Sequence, residues 1–287
     1  MSLTFTLNDG VQIPWLGFGT GTALYTKDST EAVKAAIQTG ITHLDGAQLY
    51  RNEESLGQGI KESGVPREQL FVTTKLEETP SAPTIKATLE TSLKKLRLDY
   101  VDLFLIHSPF VAMKDGKLKE WWKEMEEIKK EGLAKSIGVS NFAVEHLQII
   151  LEDATVVPAV NQIELHPYIW DTAAKIYDFC QKKGIVIESY GALSSLFRVP
   201  GGPVDPVVAG VVQRLSRESG ISVSPGQVLM KWLIQKRVVI VTTSSKASRI
   251  KEMLATPSLP DLTLEEIAAI ETEGSKMHKR FFISRAE

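Results

Sequence analysis

The chain has 287 residues, 43% of them hydrophobic and 24% charged, enough to bury the core of one large α/β barrel or of two small domains. Its net charge of −2 supplies no global basic field, which argues against nucleic acid or an anionic membrane as the main partner. No run approaches the ~20 apolar residues of a membrane-crossing helix. The start, Met1-Ser2-Leu3-Thr4-Phe5-Thr6-Leu7, is too short and polar for a signal peptide, and the one cysteine, Cys180, cannot close an intramolecular disulfide. The chain therefore reads as a soluble, cytoplasmic monomer.

The first expected element is a hairpin. Phe5-Thr6-Leu7 and Val11-Gln12-Ile13 flank Asn8-Asp9-Gly10, whose Asp-Gly pair tolerates the positive φ of a tight turn. It precedes the first repeat and is placed to plug one end of a barrel. Strands and helices then alternate. Strands are expected at residues 15–18, 41–45, 70–75, 101–107, 136–140, 160–164, 185–190 and 238–242. Helices are expected near residues 29–38, 53–62, 82–96, 118–130, 144–151, 172–182 and 225–235. The longer interval before the last strand holds a Pro/Gly loop, Val199-Pro200-Gly201-Gly202-Pro203, and helical material over 207–218. Two more helices, over 248–254 and 264–272, follow the last strand. Eight strands in strict alternation predict a single (β/α)8 TIM barrel spanning residues 1–287, with an N-terminal β-hairpin and extra C-terminal helices.

Three of the strands end in polar residues: Asp45, Lys75 and His107. Parallel strands gather their C-terminal ends on one face, where α/β proteins place their chemistry. Tyr50 lies in the loop five residues beyond Asp45. A free phenol has a pKa of ~10, too high for easy proton donation near neutrality. A nearby ammonium stabilises the phenolate and lowers that value. Lys75 is expected to supply the charge, Asp45 to hold Lys75 protonated, and His107 to hydrogen-bond a substrate oxygen. Together they make Tyr50 a general acid. Taken singly, each residue has a blander reading: an ion pair, a core histidine, a packing ring. Their convergence at successive strand ends favours the functional one.

The stretch His43-Leu44-Asp45-Gly46-Ala47-Gln48-Leu49-Tyr50-Arg51-Asn52-Glu53 resembles the signature of the aldo-keto reductase superfamily. Thr74-Lys75 and Leu105-Ile106-His107-Ser108-Pro109 are similar to its lysine and histidine segments, and the resemblance runs over nearly the whole chain. It implies hydride transfer from a nicotinamide cofactor to an aldehyde or ketone. Tyr50 would be the proton donor, Asp45 and Lys75 its tuning pair, and His107 the group that orients the carbonyl. Gly46 departs from the Thr or Ser common in the family, with little effect expected.

No Gly-x-Gly-x-x-Gly opens a helix after a strand, so a Rossmann site is unsupported. The resemblance instead implies Ser140, Asn141 and Gln162 at the nicotinamide carboxamide, with Tyr190 stacked on the ring; Asp45 is counted in both the catalytic and the cofactor set. After the seventh strand, Gly191, Ala192, Leu193, Ser194 and Leu196 suit backbone approach to a pyrophosphate. Gly19, Thr20 and Gly21 would cover the cofactor from the other side. Thr242, Thr243, Ser244, Ser245, Lys246 and Arg249 put hydroxyls and cations at a helix start, as a phosphate monoester requires. Without the resemblance, a capped, charged surface helix is the better reading of that stretch. The Thr-Thr-Ser-Ser-Lys run resembles the fungal conjugated polyketone (ketopantoyl lactone) reductases, which implies NADPH. Glu252 is placed near the adenine, where Met253 replaces a common asparagine.

Around the mouth, Leu24, Tyr25, Phe110, Trp122 and Phe197 are candidates for an apolar carbonyl pocket, with Trp121 and the tail residues Phe281 and Phe282 beside them. Helix packing is an equally good reading of Trp121 and Trp122. The expected substrate is a small carbonyl compound, an α-dicarbonyl or keto ester among the options. Two rivals are kept. A metal-dependent barrel hydrolase would use His43, Asp45, Lys75, His107 and His166, but gives Tyr50 and the late phosphate-like loop no role. A nucleotide-sensing scaffold would keep the barrel with little turnover.

Overall fold

The computed structural model describes residues 3–77 and 83–282. Strands β1 (Thr4–Thr6) and β2 (Gln12–Pro14) pair antiparallel, with Phe5 opposite Ile13. This is the expected hairpin, moved by one residue. Then follow β3 (Leu16–Gly19), α1 (Thr30–Thr39), β4 (His43–Asp45), α2 (Glu53–Ser63), β5 (Phe71–Leu76) and α3 (Ile85–Leu96). The middle holds β6 (Val101–Ile106), α4 (Phe110–Lys114), α5 (Leu118–Lys130), β7 (Ala134–Ser140), α6 (Val144–Leu151), β8 (Val160–Glu164) and α7 (Trp170–Lys183). The last part is β9 (Val186–Tyr190), α8 (Ser194–Phe197), α9 (Asp205–Ser219), α10 (Pro225–Gln235), β10 (Val239–Thr242), α11 (Ala247–Leu254) and α12 (Leu264–Gly274).

Strands β3 to β10 close into a barrel of parallel neighbours, and β10 returns to pair with β3 through Val241 beside Gly17. The expected eight-stranded barrel is therefore the observed one. The helices form because their apolar residues recur at helical spacing. In α5, Leu118, Trp121, Trp122, Met125 and Ile128 make the buried stripe. Caps set several boundaries. Pro225 opens α10, and Ser224 and Gln227 form its capping box, a device worth ~1 kcal/mol. Of the expected helix over 82–96, Ala82 lies outside the described residues, and Thr84 caps the helix that begins at Ile85. Two short helices, α4 and α8, escaped the sequence reading because neither is long enough to show a period.

The hairpin lies across the N-terminal end of the barrel. Asp9 accepts a hydrogen bond from Ser136 near the start of β7 and pairs with Lys129 at 2.6 Å. Asn8 donates to the Pro158 carbonyl just before β8 at 3.0 Å. The other end of the barrel, where Asp45 and Tyr190 close their strands and Lys75 lies one residue before the end of its own, is left for function.

Helix packing around the barrel is tight at α2. A Cβ on Gly57 would fall on the Leu96 backbone at the end of α3. Gly210 in α9 is exposed with open space around it. Gly57→Ala should therefore destabilise by about 1–3 kcal/mol through overpacking. Gly210→Ala should stabilise by about 0.5–1 kcal/mol through helix propensity. Chemical denaturation of the two variants checks the opposite signs.

Candidate active site

Asp45 ends β4, Lys75 is the next-to-last residue of β5, and His107 directly follows β6. Tyr50 ends a short 3-10 turn, Gln48–Tyr50, beyond Asp45. The closed barrel brings all four together. Lys75 Nζ donates to Asp45 Oδ1 at 2.6 Å, to Oδ2 at 2.7 Å and to the Gly46 carbonyl at 2.9 Å. Its distance to the Tyr50 hydroxyl is 3.4 Å. The His107 ring stands edge-on to Tyr50 with centroids 5.6 Å apart. Gly21 makes room for this arrangement, since a Cβ there would meet the Tyr50 ring at 2.7 Å. Asn52 ties the loops together by donating to the carbonyls of Thr20 and Leu24. The sequence reading missed that role, which nothing in a lone asparagine advertises.

The electrostatics follow from burial and charge. Burial favours the neutral form of Lys75, but Asp45 beside it wins, and the amine is held protonated above its usual range. His107 goes the other way. Burial and the Lys75 charge push its imidazole down to about 3, so the ring is neutral. Tyr50 corrects one expectation. Burial raises the phenol by more than Lys75 lowers it, and the net direction is upward. Lys75 therefore does not make a free phenolate. It reduces the cost of forming one, while the resting side chain keeps its proton.

Below the four lies a polar floor. Gln162 Nε2 donates to Asp45 Oδ2 and to Glu188 Oε2, each at 2.8 Å. His43 Nε2 stands 3.1 Å from the Thr73 hydroxyl and 3.5 Å from Glu188 Oε1. Glu188 was not singled out in the sequence. The available signal was an acid inside the apolar run Ile185–Tyr190. These bonds also bear on the metal rival. His43 faces Thr73 and Glu188, and His166 pairs with Glu164 at 3.0 Å. No group of three or more His, Cys, Asp or Glu among the described residues is placed to hold a metal ion.

The expected cofactor residues fall into two groups. At the catalytic end, the Ser140 hydroxyl donates to the Gln162 carbonyl, and Asn141 donates to the His107 carbonyl and to Ser140. Tyr190 donates its hydroxyl to Asn141 Oδ1 at 2.6 Å. Ser140, Asn141, Gln162 and Tyr190 are thus one connected set beside His107. Gly19 closes β3, where a Cβ would meet Val241 at 2.8 Å. Thr20 is fully buried, and its hydroxyl donates to the Asp45 carbonyl, so it supports the site from behind and does not present its side chain to a ligand. At the far end, Leu193, Leu196, Thr242, Thr243, Ser244, Arg249 and Glu252 line one cleft of about 740 Å³. Ser245 and Lys246, both exposed, continue the turn before α11, and the Lys246 N–H donates to Ser244 Oγ. Gly191 has a φ of 69° and packs against Phe282, while Ala192 and Ser194 are buried beneath that loop.

The substrate candidates separate too. Tyr25 meets Tyr50 edge-on at 6.4 Å, with Leu24 half-buried beside it, and Phe110 opens α4 just beyond His107. Trp122 is 1% exposed and donates its indole N–H to the Val156 carbonyl. It belongs to helix packing, which was the competing reading. Phe197, 71% exposed, lines the far cleft with Arg249, a lining that does not include Tyr50. The tail is anchored by Glu164, whose carboxylate accepts the N–H groups of Phe281 and Phe282. Phe282 then stands edge-on to Tyr190 at 5.6 Å.

Residues 15–273 match the aldo/keto reductase family. Over 286 residues the chain is 40% identical to the NAD/NADP-dependent indole-3-acetaldehyde reductase of Schizosaccharomyces pombe, covering 97% of this chain and 98% of that protein. It is 39% identical to the NADPH-dependent alpha-keto amide reductase of Saccharomyces cerevisiae, covering 94% of this chain and 90% of that protein. A solved aldo/keto reductase structure from Brucella melitensis is similar with a TM-score of 0.81 and 33% identity, covering 95% of this chain and 100% of that one. On the match, the barrel and these identities, the chain belongs to the aldo/keto reductase family.

Proposed function

We propose that the protein is an NADPH-dependent reductase that converts an aldehyde or ketone to an alcohol, with Tyr50 as the general acid. The observation that carries the reading is the buried Lys75 ammonium, bound by both Asp45 oxygens and 3.4 Å from the Tyr50 hydroxyl at the mouth of the barrel. When bound, the reduced nicotinamide supplies a hydride to the carbonyl carbon. As negative charge grows on the substrate oxygen, Tyr50 gives up its proton to it, and Lys75 stabilises the phenolate left behind. Neutral His107 donates an N–H to the same oxygen and orients the carbonyl. Asp45 keeps Lys75 charged throughout.

The donor set fits the nucleotide. Hydroxyls of Thr242, Thr243 and Ser244 and the guanidinium of Arg249 share the far cleft, which suits a phosphate monoester. Ser245 and Lys246 adjoin it, and Glu252, on the lining of the same cleft, would stand beside the adenine. Backbone of Gly191, Ala192, Leu193, Ser194 and Leu196 would take the pyrophosphate, and Gly19 and Gly21 the opposite face. At the nicotinamide, Gln162 Oε1 receives no hydrogen bond among the described residues and can accept from the carboxamide. Ser140 and Asn141 would exchange part of their mutual bonding for it, and Tyr190 would face the ring.

Leu24, Tyr25 and Phe110 are proposed to line the substrate pocket, with Phe197 and Trp122 set aside on their positions. The alpha-keto amide reductase of yeast makes an activated ketone, such as an α-dicarbonyl or keto ester, the first substrate to test. A monomer of one domain, cytoplasmic and independent of nucleic acid, completes the proposal; the net charge of −2 supports the last point. No helix among the described residues is long and apolar enough to cross a membrane.

Tyr50→Phe should lower kcat by about 10²–10⁴-fold while leaving NADPH affinity within about twofold. Full activity in that variant would overturn the general-acid role. Lys246→Ala and Arg249→Ala should each weaken NADPH by roughly tenfold to 150-fold, the range of a lost charged hydrogen bond, and leave NADH unchanged. Equal affinities of the parent for both nucleotides would remove the phosphate assignment. Because His107 titrates at about 3, the kcat profile should show no acid limb from it between about pH 5 and pH 8. An inflection near the usual histidine value that vanishes in His107→Gln would contradict the neutral imidazole.

A further inference from the structure

The proton-donor reading gives no task to Glu188, a fully buried acid beneath the site. Glu188 in β9 sits in register with Gln162 in β8, and one amide nitrogen joins its carboxyl to that of Asp45. Its second oxygen, Oε1, has no hydrogen-bond partner and lies 3.5 Å from His43 Nε2. Burial holds His43 down to about 4, so the ring is neutral and one nitrogen accepts. A bare buried carboxylate oxygen is costly. A carboxylic acid with its proton on Oε1 is not, because that proton faces the imidazole. Burial and the Asp45 charge push Glu188 up to about 8, in agreement.

The neighbours of Glu188 are few. Strand β4 brings His43 and Asp45, β5 brings Thr73 and Lys75, and β8 brings the Gln162 amide. On the other side, β10 places Val239 opposite it. Lys75 is the only cation in the group, and it is already held by Asp45.

We infer that Glu188 is a positioning residue for the proton-donor site: as a neutral acid it anchors Gln162 with the amide nitrogen turned inward and the amide oxygen left for the cofactor, and once ionised it sets a second negative charge beside Asp45 that keeps Tyr50 a phenol. The inference rests on the proposed reductase reading for its kinetic and cofactor-binding parts, and not for the protonation state of Glu188. Release of the Glu188 proton to solvent at high pH strengthens the hold on the Lys75 ammonium and opposes a phenolate at Tyr50. The proton donor therefore survives into more alkaline conditions than it would above a neutral side chain.

The test needs two variants. Glu188→Gln keeps an acceptor for Gln162 but cannot ionise, and Glu188→Leu removes both. The cofactor-free protein is read first, by thermal unfolding against pH. The folded state holds the Glu188 proton to about 8 against the usual 4.5, so this group's stabilisation is lost as pH rises through that window. Glu188→Gln should accordingly gain stability relative to the parent between about pH 5 and pH 8. A difference independent of pH overturns the neutral acid. Should Glu188→Gln not fold, Glu188→Leu carries the same expectation. In turnover, the alkaline limb of kcat should move toward acid in both variants, and unchanged limbs would remove the effect on Tyr50. NADPH titrated by tryptophan fluorescence should bind Glu188→Leu roughly threefold to tenfold more weakly and Glu188→Gln as the parent does, the size of one hydrogen bond. Equal binding by both overturns the anchoring of Gln162. A parent that binds no NADPH would defeat the reductase reading, while the cofactor-free titration would still decide the state of Glu188.

Discussion

The site depends on a lysine ammonium held inside a barrel. Lys75 is fully buried, and so is nearly all of Asp45. Removing either charge from water alone would cost several kcal/mol. Together, at 2.6 and 2.7 Å with a third bond to the Gly46 carbonyl, they persist as an ion pair. Such a pair contributes little net stability compared with an apolar replacement, but it places a permanent positive charge under a phenol. In the proposed reduction, that charge lowers the cost of the anion left when Tyr50 gives up its proton.

Everything near the pair serves its geometry. Asp45 closes β4 in register with Thr73, and Lys75 lies two residues further along β5, on the same face as Thr73, where its long side chain reaches the carboxylate. Thr20 fixes the Asp45 backbone by two bonds, Gly21 lets the Tyr50 ring approach, and Asn52 ties the two loops. In the floor, Gln162, itself held by Glu188, gives Asp45 Oδ2 a second donor without adding a second cation. The phenol itself keeps its proton at rest, because burial outweighs the lysine. A donor that stays protonated until charge develops on its acceptor is well matched to carbonyl reduction.

The far cleft obeys a different logic. It is built from the loop after β9, the start of α9, the start of α10 and the turn between β10 and α11, and sets hydroxyls, the Arg249 guanidinium and the carboxylates of Asp205 and Glu252 among apolar side chains. The tail adds a link between the two ends: Glu164 holds the backbone of Phe281 and Phe282, and Arg198 stands over both rings. The Tyr190 ring and the loop that begins at Gly191 are thereby packed against one segment.

Periodicity alone determined the architecture. Eight apolar runs spaced by helix-length segments admit few solutions other than a closed α/β barrel, and the polar residues at three of their ends marked the face on which those side chains meet. Asp45, Lys75, His107 and Tyr50 were legible because strand ends converge by topology. Side-chain destinations were not. Trp122 and Phe197 look alike as aromatic residues near a mouth, yet one is sealed in helix packing and the other lines the cleft beside Arg249, because helix phase and loop path are set by distant neighbours. Glu188 was hidden for the same reason: its importance lies in one amide from another strand. The sign of the Tyr50 shift also required the fold, since the sequence names the charges but only tertiary burial decides how much water each has lost.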